Sequence, residues 1–464
     1  MFRTVGDQPS LWESMLPPEV LRVPPELARV DALLDDPVFF APFAPFFDPV
    51  WGRPSIPMEC YLRLMFLKFR YRLGYESLCR EVADSISWRR FARIPLDGRV
   101  PHPTSLMKIT TRCGEQAVAG LNEALLAKAA AGKLLRTNRV RADTTVIPAN
   151  VAYPTDSGLL AKAVGKLVRT ARRVQAAGGA TGTRIRDRRA AAGRRVREIA
   201  GRLRSRAKQA KEESTAAIRR ATGQLADLAE TTMAEAAAVL RNGHRALRRV
   251  ADGRARGRMR RALAELAATI VRTRRIAAQT RTRLAGQTPD GASRLVSLHD
   301  PDARPIRKGR LDRPVEFGYK AQVIDNDDGI VLDHTVELGA AADAPQLAPA
   351  IGRIHRRTGR TPAAVTADRG YGEATVDRDL AALGVRTIAI PRKGPTTPAR
   401  RAVEHRPAFR RLIKWRTGCE GRISSLKRSY GWDRTRLDRR HGAAIWCGHG
   451  VFTHNLVKIS SLAT

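Results

Sequence analysis

Residues 157 to 290 constrain the fold most, because Ala and Arg dominate them and apolar side chains recur there at helical spacing. Leu160, Val164, Leu167, Val168, Ala171 and Val174 form one such stripe, and Leu263, Leu266, Ile270 and Ala277 form another. Long helices are predicted. Gly178, Gly179 and Gly182, and later Gly253 and Gly257, are the expected interruptions, which would fold the segment into antiparallel helical hairpins. Residues 139 to 146 before it and 319 to 325 after it read as strands, so the helices are an insertion between strands of an α/β domain. Arg172, Arg173, Arg188, Arg189, Arg194, Arg195, Arg248, Arg249, Arg260 and Arg261 would line these helices. They read either as a clamp on nucleic-acid phosphates or as a solvated helix face. The sparseness of acids favours the clamp.

The whole chain shares that bias: 84 Lys plus Arg stand against 45 Asp plus Glu, a formal charge of +39. Such a charge attracts a polyanion, and DNA or RNA is the expected partner. No run of about 18 or more apolar residues exists to span a bilayer, and no secretory signal is recognisable. The expected location is the cytoplasm, with no membrane partner. Five cysteines without a C-x-x-C pair suggest reduced thiols, and Cys419 reads as a small packing residue.

Before the insertion, residues 1 to about 55 are rich in Pro and Phe and read as an extended arm. Residues 58 to 72 then place Leu62, Met65, Phe66 and Phe69 on one helical stripe, with Arg63, Lys68, Arg70 and Arg72 largely off it. That pattern predicts a core face and a basic face. Residues 76 to 92 predict a second helix and residues 104 to 132 one or two more. This helical domain suits recognition of DNA ends or, equally, dimerisation and packing.

After the insertion, YKAQVID at 319 to 325 and GIVLDHTVEL at 329 to 338 predict an antiparallel pair turning at Asn326, Asp327 and Asp328, beside the strand of residues 139 to 146. A turn explains Asp325, Asp327 and Asp328 better than a calcium loop, which needs twelve residues and a closing Glu. A helix at 344 to 358, a buried strand at 363 to 368, a short helix, a last strand at 385 to 391 and a final helix complete the order. His441, His449 and His454 flank an apolar segment without a compact ligand cluster and read as packing residues.

Three acids carry the chemistry. Asp143 in RADTTV and Asp368 in VTADRGYG sit at or near strand ends, and Glu420 in WRTGCEGRISSLK is read as opening a helix. Glu420, Ser424 and Lys427 then share one helical face, with Arg416 one turn earlier. Carboxylates are the ligands Mg²⁺ prefers, and in a two-ion site one ion activates the attacking oxygen while the other stabilises the leaving oxygen of a phosphodiester. Taken singly, each acid also fits an ordinary place: a solvated strand end, a turn before Gly370, or an acid favoured by a helix N-terminus.

Asp143, the D-R-G-Y run from Asp368, and the spacing Arg416, Glu420, Lys427 resemble the DDE transposases of bacterial insertion sequences, in the branch that includes insertion sequence five. That family's signature begins with a tyrosine three residues before the arginine, where this chain has Ile413. Residues 57 to 91 and 100 to 106 are similar to the family's helical N-terminal domain, and FGYKAQV at 317 to 323 is similar to its second catalytic strand.

The resemblance implies an α/β fold: an RNase H-like catalytic domain with a mixed sheet flanked by helices, an all-α N-terminal domain and a long helical insertion. On this chain the N-terminal DNA-binding and assembly domain would span 1–135, the catalytic domain 136–156 and 291–464, and the insertion 157–290. It also implies that Asp143, Asp368 and Glu420 bind two Mg²⁺ or Mn²⁺ ions and that Lys427 contacts DNA near the cut. Arg416, Arg369, Arg434 and Arg436 are candidate phosphate ligands or surface residues, and Tyr371 reads as packing or orienting Asp368. The expected activity is cutting at the element's terminal inverted repeats and joining the freed 3′-hydroxyl to target DNA, in a homodimer or higher assembly. Two alternatives stay open: an RNase H-like nuclease without strand transfer, and a non-catalytic or decayed transposase that only binds DNA.

Overall fold

The structure, a computed structural model, describes residues 1–6, 11–204, 211–308 and 314–463. The chain divides into one compact unit of Met1–Asn150 with Tyr319–Thr464 and another of Val151–Gly318.

The first unit begins with helices α1 (Leu11–Ser14) and α2 (Pro25–Leu34). The Phe/Pro segment expected as an extended arm forms two 3-10 helices, Pro37–Phe39 and Ala41–Phe46. Proline's fixed φ suits the first positions of a helix, and the aromatics find partners in the core. Phe39 and Phe43 are fully buried and meet Phe452 and Tyr61 edge-on.

Contrary to the pattern of its sequence, α3 (Met58–Arg70) has no exposed basic face, since Met58 to Phe69 are all buried. It is packed by α2, α4 (Tyr75–Asp84) and α15 (Arg439–Leu462), so its charged side chains need internal partners. Arg63 donates to Asp31 at 2.6 Å, whereas Lys68 lies over aromatic rings. The helix predicted at 76 to 92 splits at Ser85, whose extended backbone starts α5 (Ile86–Phe91) and whose hydroxyl caps the Trp88 N–H. α6 (Pro103–Ala131) consists of two helical stretches that meet at Gly114, whose backbone is non-helical (φ 66°). Strand β1 (Arg139–Pro148) follows.

In the second unit the predicted long helices are α7 (Asp156–Ala176), α8 (Arg189–Arg204), α9 (Lys211–Leu247) and α10 (Gly253–Leu284). Gly178, Gly179 and Gly182 fall between α7 and α8 as expected. Gly253 instead begins α10, where the Asp252 carboxylate caps two N–H groups, and Gly257 lies inside that helix. The apolar stripes of α7 and α10 meet α9 in two buried clusters. Acids are placed opposite several arginines: Arg173 with Glu265, Arg188 with Glu235, and Arg172 and Arg189 with Asp187. Arg194, Arg248, Arg249, Arg260 and Arg261 make no ion pair among the described residues. Strand β2 (Arg304–Arg307) pairs antiparallel with Val315 to Gly318, the opening of β3 (Val315–Asp325).

From Tyr319 onward β3 belongs to the first unit and pairs antiparallel with β4 (Val331–Leu338), as the hairpin pattern predicts. α11 (Ala344–Thr358), β5 (Ala364–Ala367), α12 (Ala374–Ala382) and β6 (Thr387–Ala389) follow in the expected order. The order then departs from the single final helix expected, with α13 (Pro398–His405), α14 (Pro407–Ser429) and α15. The sheet of this unit runs β4-β3-β1-β5-β6, with β1, β5 and β6 parallel.

Candidate active site

The sheet register brings two of the three acids together. Ala142 of β1 pairs with Ala367 of β5 in parallel, and the next residue in each case is an aspartate, Asp143 within β1 and Asp368 just past the end of β5. Neighbouring strands lie about 4.8 Å apart, so both carboxylates leave the sheet at one level. Local hydrogen bonds hold them. Asp143 Oδ1 accepts from the Thr144 N–H at 2.7 Å, and Asp368 Oδ1 accepts from the Gly370 N–H at 2.9 Å, capping a 3-10 turn over Arg369–Tyr371.

Glu420 does not open a helix. α14 begins at Pro407, where a missing N–H costs nothing, so Glu420 sits well inside it and the N-terminal dipole explanation for this acid falls. α14 packs on β1, β5 and β6. A Cβ on Gly418 would collide with the Arg141 guanidinium, so glycine at that position permits the close approach. Arg141 itself is the junction. Its Nε and Nη2 donate to the fully buried Asp325 at 2.8 and 3.0 Å, its Nη1 donates to the Trp415 carbonyl at 2.9 Å, and its guanidinium lies over the Trp415 ring.

Arg416 links the third acid to the first: Nη1 donates to Asp143 Oδ2 at 3.0 Å and Nη2 to Glu420 Oε1 at 3.1 Å. Among the described residues no three acid, histidine or cysteine side chains stand in metal-ligating geometry, and a guanidinium is the group between two of these acids. The donor set nevertheless fits a hard divalent cation, because its own charges are incompletely balanced. Burial pushes the Asp143 carboxyl up to about 6; the Thr144 N–H and Arg416 oppose this, and the charges of Asp368 and Glu420 add to it. Asp368 is raised too, first by burial and then by the charge of Asp343. A cation among these carboxylates would relieve both.

Sequence reasoning does not single out Asp343. It precedes α11, yet its side chain caps no N–H there; it turns instead to Lys320 Nζ, 2.6 Å from Oδ1. A Cβ built on Gly370 would lie 3.0 Å from Asp368 Oδ1 and 3.1 Å from Asp343 Oδ2, so the two acids flank the same glycine. Tyr371 is fully buried, and its hydroxyl has no hydrogen-bond partner among the described residues while feeling the charges of Asp343, Asp143 and Asp368. The only sequence signal for Asp343 is its place before Ala-Pro at a helix start, which reads as an ordinary cap. Asp325 reads in the sequence as part of a turn, but it is the last residue of β3 and pairs with Arg141 and Arg422.

The other candidates fall in several places. Ser424 and Lys427 are half-buried on α14, and Arg369 is exposed in the turn after Asp368. Arg434 and Arg436 are exposed in the segment after α14, which is anchored by the Thr435 N–H donating to the Pro148 carbonyl at the end of β1. Asp327 and Asp328 occupy the turn and pair with Arg139 and Arg136. His449 stacks on Phe69, and His454 Nε2 hydrogen-bonds the Gly329 carbonyl; burial lowers both imidazoles to about 3, so they pack as neutral rings. All five cysteines are buried free thiols, and burial drives Cys419 well above the ordinary range.

Residues 13–112 match the family described as Transposase domain (DUF772), and residues 291–456 match the one described as Transposase DDE domain. A protein described as uncharacterized, ORF8 in the nfe locus of Rhizobium meliloti, is 31% identical over 160 residues, covering 32% of this chain and 73% of that protein. No solved structure matches the chain. No helix among the described residues is long and apolar enough to cross a membrane. The mixed sheet flanked by helices is the RNase H-like core of the second of these families. With the first match followed by the second, which contains Asp368 and Glu420, the chain belongs to the DDE transposases of bacterial insertion sequences.

Proposed function

We propose that this transposase cuts phosphodiester bonds at the ends of its element and joins the freed 3′-hydroxyl to target DNA, with Asp143, Asp368 and Glu420 as its catalytic acids. The observation that carries the reading is the shared level of Asp143 and Asp368 on neighbouring parallel strands, with Glu420 tied to Asp143 through Arg416. Asp143, Asp368 and Glu420 would hold two Mg²⁺ or Mn²⁺ ions. When bound, such ions polarise the phosphoryl group and lower the pKa of an attacking water.

In the cut, water's oxygen bonds to phosphorus and the 3′-oxygen leaves as a hydroxyl; in the joining, that hydroxyl attacks a target phosphodiester and the target's 3′-oxygen leaves. Neither step needs a covalent bond to the protein. Asp143 is mostly ionised at neutral pH even with its carboxyl raised to about 6, so it remains a ligand and proton acceptor there. Arg416 compensates the acids before substrate arrives and is then free to meet a phosphate, for which its planar guanidinium is suited. Lys427, Arg369, Arg434 and Arg436 supply further phosphate contacts. The N-terminal helices recognise the terminal inverted repeats or pair two copies, the helices of 157–290 clamp the DNA backbone, and the working form is a homodimer or larger on DNA in the bacterial nucleoid.

The test is nicking and strand joining on duplexes carrying the sequences that flank the gene, with and without Mg²⁺, wild type beside Asp368→Asn. Both reactions in wild type alone support the proposal. Nicking without joining points to a nuclease, and equal DNA binding without cleavage by either protein points to a DNA-binding product of a decayed element.

A further inference from the structure

Lys68 lacks the partner that a buried charge requires. It is 3% exposed, and its ammonium stands 4.2 Å from the ring centre of Trp446 and 4.7 Å from those of Phe69 and Tyr75. Aromatic faces attract a cation but do not neutralise it, and no carboxylate pairs with Lys68 among the described residues. The side chain lines a cavity of about 400 Å³ that also receives Arg72, Arg434, Arg436 and Asp433. Among the described residues Asp433 is the one carboxylate lining this cavity, and Arg72 Nη2 already holds it at 2.7 Å. Arg434 and Arg436 are exposed and make no ion pair among the described residues. Among the described residues three arginines and Lys68 therefore share one acid around a space large enough for a tetrahedral oxyanion.

Position suggests which oxyanion. The segment bearing Arg434 and Arg436 is fastened to Pro148 through Thr435, and Pro148 lies five residues beyond Asp143 on β1. At about 3.3 Å per residue the anchor is roughly 16 Å from the acid, close to five base-pair rises of 3.4 Å. We propose that this cavity binds one backbone phosphate of the DNA strand, with Arg434 and Arg436 gripping its oxygens and Lys68 supplying the buried charge. The assignment rests on the DNA-cutting reading above only for the identity of the strand.

Phosphate binding would change the protonation of Lys68. Burial, assisted by Arg436, lowers its ammonium to about 7. The groups facing it are Arg436, Arg434, Arg72 and Asp433 from the cavity, Tyr75 from α4 and the neutral His449 from α15. An arriving phosphate dianion or diester favours the charged form, so binding near pH 8 should draw a proton onto Lys68.

The test uses the full chain and needs no cleavage. Affinity for a 30-base-pair duplex is measured by fluorescence anisotropy across a salt series, for wild type, Lys68→Met and the surface pair Arg434→Ala/Arg436→Ala. In parallel, inorganic phosphate is titrated calorimetrically at pH 8 in two buffers of different ionisation heat. Expected are a salt slope smaller by about 0.9 for each phosphate no longer neutralised, roughly tenfold weaker binding at low salt in both variants, and proton uptake with phosphate that Lys68→Met abolishes. Phosphate uptake with unchanged DNA slopes would overturn the DNA assignment and leave a site for free phosphate. Unchanged slopes in the arginine pair, whose exposure spares the fold, together with no phosphate uptake would overturn the site itself. Failure of nicking and joining would leave these binding results standing.

Discussion

Asp143→Asn should stabilise the protein at neutral pH while abolishing cleavage. Asparagine is the neutral isostere and can keep the hydrogen bond from the Thr144 N–H. The Asp143 carboxyl is raised from an ordinary 3.8 to about 6, and each tenfold change in proton affinity is worth about 1.4 kcal/mol. Ionisation therefore costs the folded state about 3 kcal/mol at pH 7. A carboxyl raised by folding favours the folded state only while protonated, so its stabilising protonation is complete below pH 3.8 and is lost as pH rises through 6. The gain from Asp143→Asn should thus be about 3 kcal/mol at pH 7 and about 0.5 kcal/mol at pH 4. With an unfolding entropy of about 2.1 cal/mol/K per residue, a unit of this size shifts by about 1–2 °C per kcal/mol, so the melting temperature should rise by roughly 3–5 °C at pH 7. Thermal scans of both proteins in a chelator from pH 4 to 8 measure it. Adding Mg²⁺ should narrow the gap from the wild-type side, since an ion held at a hundredfold excess over its Kd stabilises by about 2.7 kcal/mol. Parallel pH profiles for the two proteins, or an equal Mg²⁺ effect on both, would refute the electrostatic account of the site.

Three further outcomes concern other charged groups. Asp325→Asn leaves the buried Arg141 without its countercharge and should cost about 3–5 kcal/mol, whereas Arg141→Met with Asp325→Met should recover most of it; chemical denaturation of the set reads the coupling. Asp343→Asn removes a charge that raises Asp368, so the acid limb of the nicking rate should move to lower pH, and an unmoved limb would detach Asp343 from the site. Replacing Arg248, Arg249, Arg260 and Arg261 by Gln should reduce the salt slope of DNA binding by about 0.9 for each phosphate released, while an unchanged slope would make them a solvated helix face.

The sequence by itself determined the elements whose signal is periodic or local. The helices of 157–290 follow from apolar residues at helical spacing, and the β3–β4 hairpin follows from alternation around Asn326. The three acids stand out in the sequence because their neighbours form motifs, and the charge of +39 points to a polyanion. What failed was whatever depends on neighbours distant in the chain. Arg63 and Lys68 look like a solvated face until α15, from the far end of the sequence, is packed against α3. The Phe/Pro segment looks extended until the core receives Phe39 and Phe43, and Glu420 looks like a helix start when only its own surroundings are read. Tertiary structure alone decided that Ala142 and Ala367 share a rung, that Arg416 bridges two acids, that Asp343 turns from capping to Lys320, and that Lys68 faces aromatic rings. The physical reason is that backbone propensity and periodicity act over a few residues, whereas burial and charge act through space, so an ionisable side chain acquires its chemistry only from partners that the fold brings to it.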